Sequence, residues 1–305
     1  MWFNSRIHRG NKGLNSTRER RFVPRLESLE DRTALSTLTV LNNLDSGSGS
    51  LRDAIKKAKD SDTIVFASSL NGQTITLTSG ELAITQNLDI EGPGASLLAI
   101  SGNNASRVFN ISQNQQAVVV TIAGLTIENG LSPGDGEGGA IDNVSSTLNL
   151  TNDVLSNNVA RGNSGKDGAG GAVFNFNGAT LTVSNCTFSG NQAIGGDGGG
   201  FGQGRGGAIA LYVSSSGPGP TGCTATISGS RFTGNLAQGG NGVTITSFGF
   251  PGNGFGGVIN SFGSLATSWS GEAMAAAPRV IRRSPDSIWM PALAVPLMGT
   301  GRPLP

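Results

Sequence analysis

Residues 179–191 read ATLTVSNCTFSGN. The same frame returns as CTATISGSRFTGN at 223–235 and, more loosely, as STLNLTNDVLSNN at 146–158. A fainter copy, VVTIAGLTIENG, spans 119–130. Inside each copy the hydrophobic period is two. Leu181 and Val183 alternate with Thr180, Thr182 and Ser184, and Ile227 stands between Thr226 and Ser228. That is the pattern of a strand with one buried face. The runs are short and end at Asn or Gly, residues that tolerate the left-handed backbone of a tight turn.

A glycine block precedes each of the frames at 146, 179 and 223, and a further block lies beyond them. GGAI starts at Gly138, GGAV at Gly170, GGAI at Gly206 and GGVI at Gly256, at spacings of 32, 36 and 50 residues. The spacing varies only through the glycine-rich stretches. Constant strands with variable insertions indicate a coil that takes its insertions at one corner. The pairs Gly138 and Gly139, Gly170 and Gly171, and Gly206 and Gly207 are expected to make a sharp entry into the next strand, with Ala and Ile then pointing inward. Phe188 and Phe232 stand three residues before Asn191 and Asn235. Stacking is expected to put Phe on Phe inside and Asn on Asn at a bend, in coils about 4.8 Å apart.

These paired GGAI and FxxN motifs resemble repeats of the polymorphic outer-membrane-protein type. The first repeat departs, with Val154 in the phenylalanine place and Asn157 following it. The resemblance implies a right-handed parallel β-helix, a pectate-lyase-like solenoid. Upstream, SGSGSLRDAI at 46–55, DTIVF at 62–66, GQTITLTSGEL at 72–82 and IEGPG at 90–94 are similar to the CSLREA-type N-terminal module of bacterial β-helix proteins. Gly49 replaces that module's cysteine, so no thiol chemistry carries over. Independently of the resemblance, Leu51, Ala54, Ile55 and Ala58 share one helical face. Ser50 and Asp53 have capping-box spacing. A short helix over 50–59 is expected to cover the open end of the coil, because a bare terminal rung exposes unpaired backbone.

Composition narrows the function classes. Glycine makes up 48 of 305 residues, and the formal net charge is +1. The glycines lack a G-X-Y period, which excludes collagen. No apolar run reaches the ~18 residues of a membrane-spanning helix. Near-zero net charge argues against nucleic acid as the partner. Two cysteines make neither a disulfide framework nor a four-cysteine zinc site. Charge divides the chain into a basic leader (1–32, net +4), an acidic middle (33–262, net −5) and a basic end (263–305, net +2). Residues 1–35 read as a disordered leader. Its PRLESLEDRTALS, at 24–36, is similar to a short box on large bacterial surface proteins. The coil is expected over 36–262, as a capping module (36–105) and glycine-rich repeats (106–262). The proline-rich stretch 263–305 reads as a disordered tail outside the repeat. Its abrupt onset is expected to mark an interrupted reading frame near Leu265.

The chemistry is sparse. His8, the single histidine, falls in the leader, so no Ser/His/Asp or Cys/His apparatus is available to the coil. The NTD, DD, GHG and RxK boxes of polygalacturonase-type hydrolases are missing as a set, and so is the RxPxxR box of lyases. Glu91, Glu128, Asp142 and Asp153 are the candidate acids for glycoside hydrolysis and read as solvated strand-face acids. Arg161, Lys166, Arg205 and Arg231 are the bases a lyase could draw on. Asp135, Asp167 and Asp197, in glycine-rich corners, resemble calcium-binding nonapeptide acids. One carboxylate per loop is thin for a cation wanting six to eight oxygens, so these corners read as flexible loops. Cys186 and Cys223 occupy different repeat positions and read as small buried thiols. No cofactor is expected, calcium apart. The expected function is that of a non-enzymatic secreted or cell-surface repeat protein, structural or adhesin-like, with glycans or other surface proteins as partners. The alternative is a carbohydrate-active lyase or hydrolase.

Overall fold

The computed structural model describes residues 35–270, apart from 112–116, 133, 135, 199–201, 214–221, 241–253, 256–258 and 263–265. The leader through Ala34, the chain beyond Ser270, and Asp135, Gly256 and Gly257 lie outside the described residues. Three long sheets are wound in rotation. Sheet A joins eight strands: Thr37–Val40, Asp62–Phe66, Leu88–Glu91, Val119–Ala123, Thr147–Thr151, Thr180–Ser184, Thr224–Ser228 and Ala266–Ser270. Sheet B joins Gln73–Thr76, Leu98–Ser101, Thr126–Glu128, Val154–Ser156, Thr187–Ser189 and Arg231–Thr233. Sheet C joins Leu82–Ile84, Phe109–Ile111, Ile141–Val144, Val173–Phe176, Ile209–Tyr212 and Ile259–Phe262. The described ladders are parallel, and each strand pairs with its counterpart one coil away. The fold is a parallel β-helix.

Parallel in-register stacking turns the two-residue period into columns. In sheet A, Ile64, Ile90, Ile122, Leu150, Val183 and Ile227 stack in register. In sheet B the column is Ile75, Ile100, Ile127, Leu155, Phe188 and Phe232. All are buried in one continuous core. The Phe188 and Phe232 rings stack face to face, 4.7 Å between centroids and 7° between planes. Aliphatic rungs thus give way to aromatic ones along one inner wall, as the FxxN spacing predicts.

The asparagine ladder has a different first member from the one read in the sequence. The register sets Leu155, not Val154, against Phe188. Asn158, not Asn157, stacks on Asn191: its Nδ2 donates to Asn191 Oδ1 at 2.9 Å, and Asn191 Nδ2 donates to Asn235 Oδ1 at 2.9 Å. Asn157 holds instead the left-handed position (φ 53°) that Gly190 and Gly234 take in later coils. Two adjacent asparagines look alike in sequence, and backbone conformation separates their jobs. A second ladder runs inside sheet C, where Asn143 Nδ2 donates to Asn175 Oδ1 at 2.6 Å.

The glycine block has a steric cause. Its first glycine is left-handed in each described copy, with φ 58° at Gly138, 66° at Gly170 and 63° at Gly206. A Cβ on the second would strike the next rung: one built on Gly171 falls 2.1 Å from the carbonyl oxygen of Gly207. Ala140, Ala172 and Ala208 then turn fully inward.

The described parts of the insertions carry strands, contrary to the reading of these corners as flexible loops. Between sheets B and C, later coils add Val159–Arg161, Gln192–Ile194 and Leu236–Gln238 as sheet D, and Gly168–Ala169, Gly204–Arg205 and Gly254–Phe255 as sheet E. These ladders are parallel as well.

At the N-terminal end the helix spans Leu51–Lys57 and touches the edge strands of sheets A and C. Leu51, Ala54 and Ile55 are buried, with Ala58 partly buried against the same core. Ser50 Oγ accepts the Asp53 amide at 3.2 Å, and Asp53 accepts the Gly49 amide at 3.1 Å. At the other end the coil passes residue 262. Ala266–Ser270 pairs with Thr224–Ser228 and sets Trp269 against Ile227. The prolines of this region begin only at Pro278, beyond this strand.

Candidate functional site

The outer surface of sheet C differs from the other faces. Outward positions in register run Asn110, Asp142, Phe174 and Ala210, and beside them Val144, Phe176 and Tyr212. Side chains two apart on one strand share a face, so Phe174 and Phe176 lie together. Their centroids are 5.8 Å apart, and Phe174 meets Tyr212 at 5.5 Å. Sheet E covers one margin of this face, where Ala169 packs with Phe174 and Ala210 as an apolar cluster separate from the core.

Asp167 fastens that wall. Its Oδ1 accepts the Gln203 amide at 2.9 Å and its Oδ2 accepts Arg205 Nε at 2.7 Å. The Arg205 guanidinium lies over the Tyr212 ring, 5.6 Å from its centroid. Burial pushes the Tyr212 phenol well above its usual range, and Arg205 offsets this only in part. Together these residues leave a cleft of about 310 Å³ lined by Glu137, Gly165, Lys166, Asp167, Ala169, Phe174 and Tyr212.

Next to the cleft sits a buried arginine, 2% exposed. Arg107 Nε donates to the Gly138 carbonyl at 3.0 Å and its Nη2 to the Glu137 carbonyl at 2.8 Å. Its Nη1 meets Glu81 Oε2 at 3.0 Å and Asp142 Oδ2 at 3.5 Å. Asn110 Nδ2 supports Glu81 at 2.8 Å. The sequence reading passes over Arg107. A signal exists: Phe109 registers with Ile141, so Ser106-Arg107-Val108-Phe109 is a degenerate copy of the glycine block.

The candidate acids do not converge. Glu91 lies on sheet A, Glu128 on sheet B and Asp142 on sheet C, while Asp153 fills the turn from A to B. Two are not solvated, contrary to expectation. Asp142 is held by Arg107, and Asp153 is 1% exposed, accepting the Leu125 amide at 2.9 Å and the Thr151 amide at 3.0 Å. Burial raises the Asp153 carboxyl to about 7. Cys186 stacks on it one coil later, its Sγ accepting the Asp153 amide at 3.4 Å, and burial raises that thiol to about 12. Cys223 is likewise buried and free. Of the bases, Lys166 and Arg205 border the cleft, while Arg161 and Arg231 are exposed on sheets D and B.

Of the calcium candidates, Asp167 is the clasp just described, Asp135 lies outside the described residues, and Asp197 is exposed with its carbonyl accepting the Gly165 amide at 3.2 Å. Among the described residues no three His, Cys, Asp or Glu side chains gather as a cation site. No described helix is long and apolar enough to cross a membrane.

No family model matches the sequence, and no curated protein matches it. Among solved structures the PL6 family alginate lyase AlyGC is similar, with a TM-score of 0.44 and 17% sequence identity over 82% of this chain. The chain spans 31% of that structure's length.

Proposed function

We propose that the protein is a non-enzymatic β-helical binding protein of the cell surface or extracellular space, and that it holds glycan on the outer face of sheet C. The carrying observation is the half-buried Tyr212, packed on the buried Phe174 with the half-buried Phe176 on the same face, beside a charged wall that opens a cleft of about 310 Å³. A volume near 300 Å³ with an apolar floor and a few fixed polar groups is the usual make-up of a small-molecule site. Sugar rings present an apolar face to aromatic side chains and hydroxyls to charged ones. A cleaving activity draws less support, because the four candidate acids are spread over separate faces.

Affinity gel electrophoresis against a panel of soluble polysaccharides tests this reading. At least one polymer is expected to retard the protein, and Tyr212→Ala is expected to weaken that retention roughly tenfold. An unchanged circular dichroism spectrum verifies the fold of the variant. Retention indifferent to Tyr212→Ala, or bond cleavage appearing as new reducing ends, would sink the proposal.

A further inference from the structure

We infer that Asp167 is the positioning residue of the cleft. It serves the glycan through Tyr212, whose ring it holds in place by way of Arg205, and this role rests on the glycan-binding reading above.

Asp167 stands just before the strand Gly168–Ala169, and Arg205 ends the strand Gly204–Arg205 that pairs with it one coil later. The carboxylate joins the two coils at three points. Its Oδ1 accepts the Gln203 amide at 2.9 Å, its Oδ2 accepts Arg205 Nε at 2.7 Å, and the Tyr212 phenol donates to the same carboxylate. Arg205 and Asp167 thus neutralise one another, so the pair acts by geometry and not by drawing in an opposite charge. A guanidinium is planar and stacks on aromatic faces, so its angle matters as well as its charge. Held through Nε, the Arg205 guanidinium lies 5.6 Å from the Tyr212 centroid. Phe174 meets the same ring at 5.5 Å, tilted by 43°. Phe174 is buried, whereas Tyr212 is half-buried and lines the cleft, so Tyr212 is the ring with surface left to offer. A binding surface fixed before its ligand arrives loses less freedom on binding. Asp167 supplies that fixation from the neighbouring coil.

Tyr212 is the only tyrosine in the chain, so ultraviolet titration of its phenolate reports on this one position. Burial raises the phenol, Arg205 lowers it, and Asp167 and Glu137 raise it further. Asp167→Asn keeps an acceptor for the Gln203 amide and removes the charge. In the full chain it is expected to form phenolate at a pH lower than wild type by about one unit or more. It is also expected to weaken retention by the binding polysaccharide roughly tenfold, as Tyr212→Ala does. Arg205→Lys keeps the charge, loses the planar stack and is expected to weaken retention as well. Circular dichroism verifies both folds, and Arg205→Lys carries the test if Asp167→Asn misfolds. Phenolate forming at the wild-type pH in Asp167→Asn overturns this inference. So does wild-type retention in either variant while Tyr212→Ala still weakens it, and the glycan-binding reading then stands. Retention that requires added calcium makes Asp167 a cation ligand and overturns the positioning role. A wild-type chain retained by no polymer overturns both.

Discussion

Asn191 shows how much one residue does in a stacked coil. Its side chain donates to the Leu155 carbonyl at 2.9 Å and to Asn235 Oδ1, and accepts both the amide and the Nδ2 of Asn158. Replacing it with Ala leaves a buried carbonyl and a buried amide unsatisfied, at about 1–3 kcal/mol for each group. Asn191→Ala is therefore expected to lower stability by about 2–6 kcal/mol in urea denaturation. Asp153 makes a pH-dependent contribution. The unfolded chain releases its proton near the ordinary carboxylate value of 3.8, whereas the folded chain keeps it to about 7. Between these values the folded state binds more protons, so stability from this group is complete at low pH and is lost as pH rises through the window. In the same turn position Ser230 Oγ accepts the Cys186 amide at 3.0 Å, so a serine already serves there one coil beyond Cys186. Asp153→Ser is expected to remove the slope and to raise the urea midpoint at about pH 8 relative to wild type. An unaltered difference between about pH 4.5 and about pH 8 would assign the slope to other groups.

Within a strand or turn, the same glycine can be required for two separable reasons. At Gly234 only conformation is at stake: φ is 62° and a Cβ has nothing nearer than 3.9 Å. At Gly171 the backbone of the next rung is in the way, with Gly207 O at 2.1 Å from a Cβ. Gly234→Ala is expected to cost about 1–2 kcal/mol, the left-handed penalty of an L-residue. Gly171→Ala must also push two rungs apart, and a cost above about 3 kcal/mol is expected. Thermal melts of the two variants measure the difference, and equal costs would mean that the rungs part without resistance. The capping helix is the element most completely readable from sequence. Its apolar face and its Ser50 cap both depend on residues within one turn of each other, and both form as the spacing predicts.

Across the whole molecule, each rung is stabilised by the rungs on either side, and stability in such arrays is close to a sum of neighbour terms. Rungs around Val120, Leu148 and Leu181 have described neighbours on both sides in all three sheets. Hydrogen exchange is expected to be slowest for those strands and progressively faster toward Thr37–Val40 and Arg231–Thr233. Uniform protection from end to end would indicate a single cooperative unit instead. On the outer surface the coil lengths themselves arrange the chemistry. The coils that span 32 and 36 residues between glycine blocks carry Gly168–Ala169 and Gly204–Arg205, the strands that wall the cleft.

The winding is legible in the order of residues. Alternation of period two tells which side chains face inward wherever one face is buried. Recurrent glycine pairs mark where rungs approach too closely for a Cβ, and the Phe and Asn spacings set what stacks on what in the coils of Phe188 and Phe232. These are local signals, repeated each coil, and repetition makes them legible. What meets on the outside follows from the folded coil. Asp167 and Arg205 are 38 residues apart, and Arg107 reaches Glu81 across 26 and the Glu137 carbonyl across 30. None of these partners repeats, so no period announces them. Their encounter depends on how many residues separate one coil's outer face from the next, which no local pattern records.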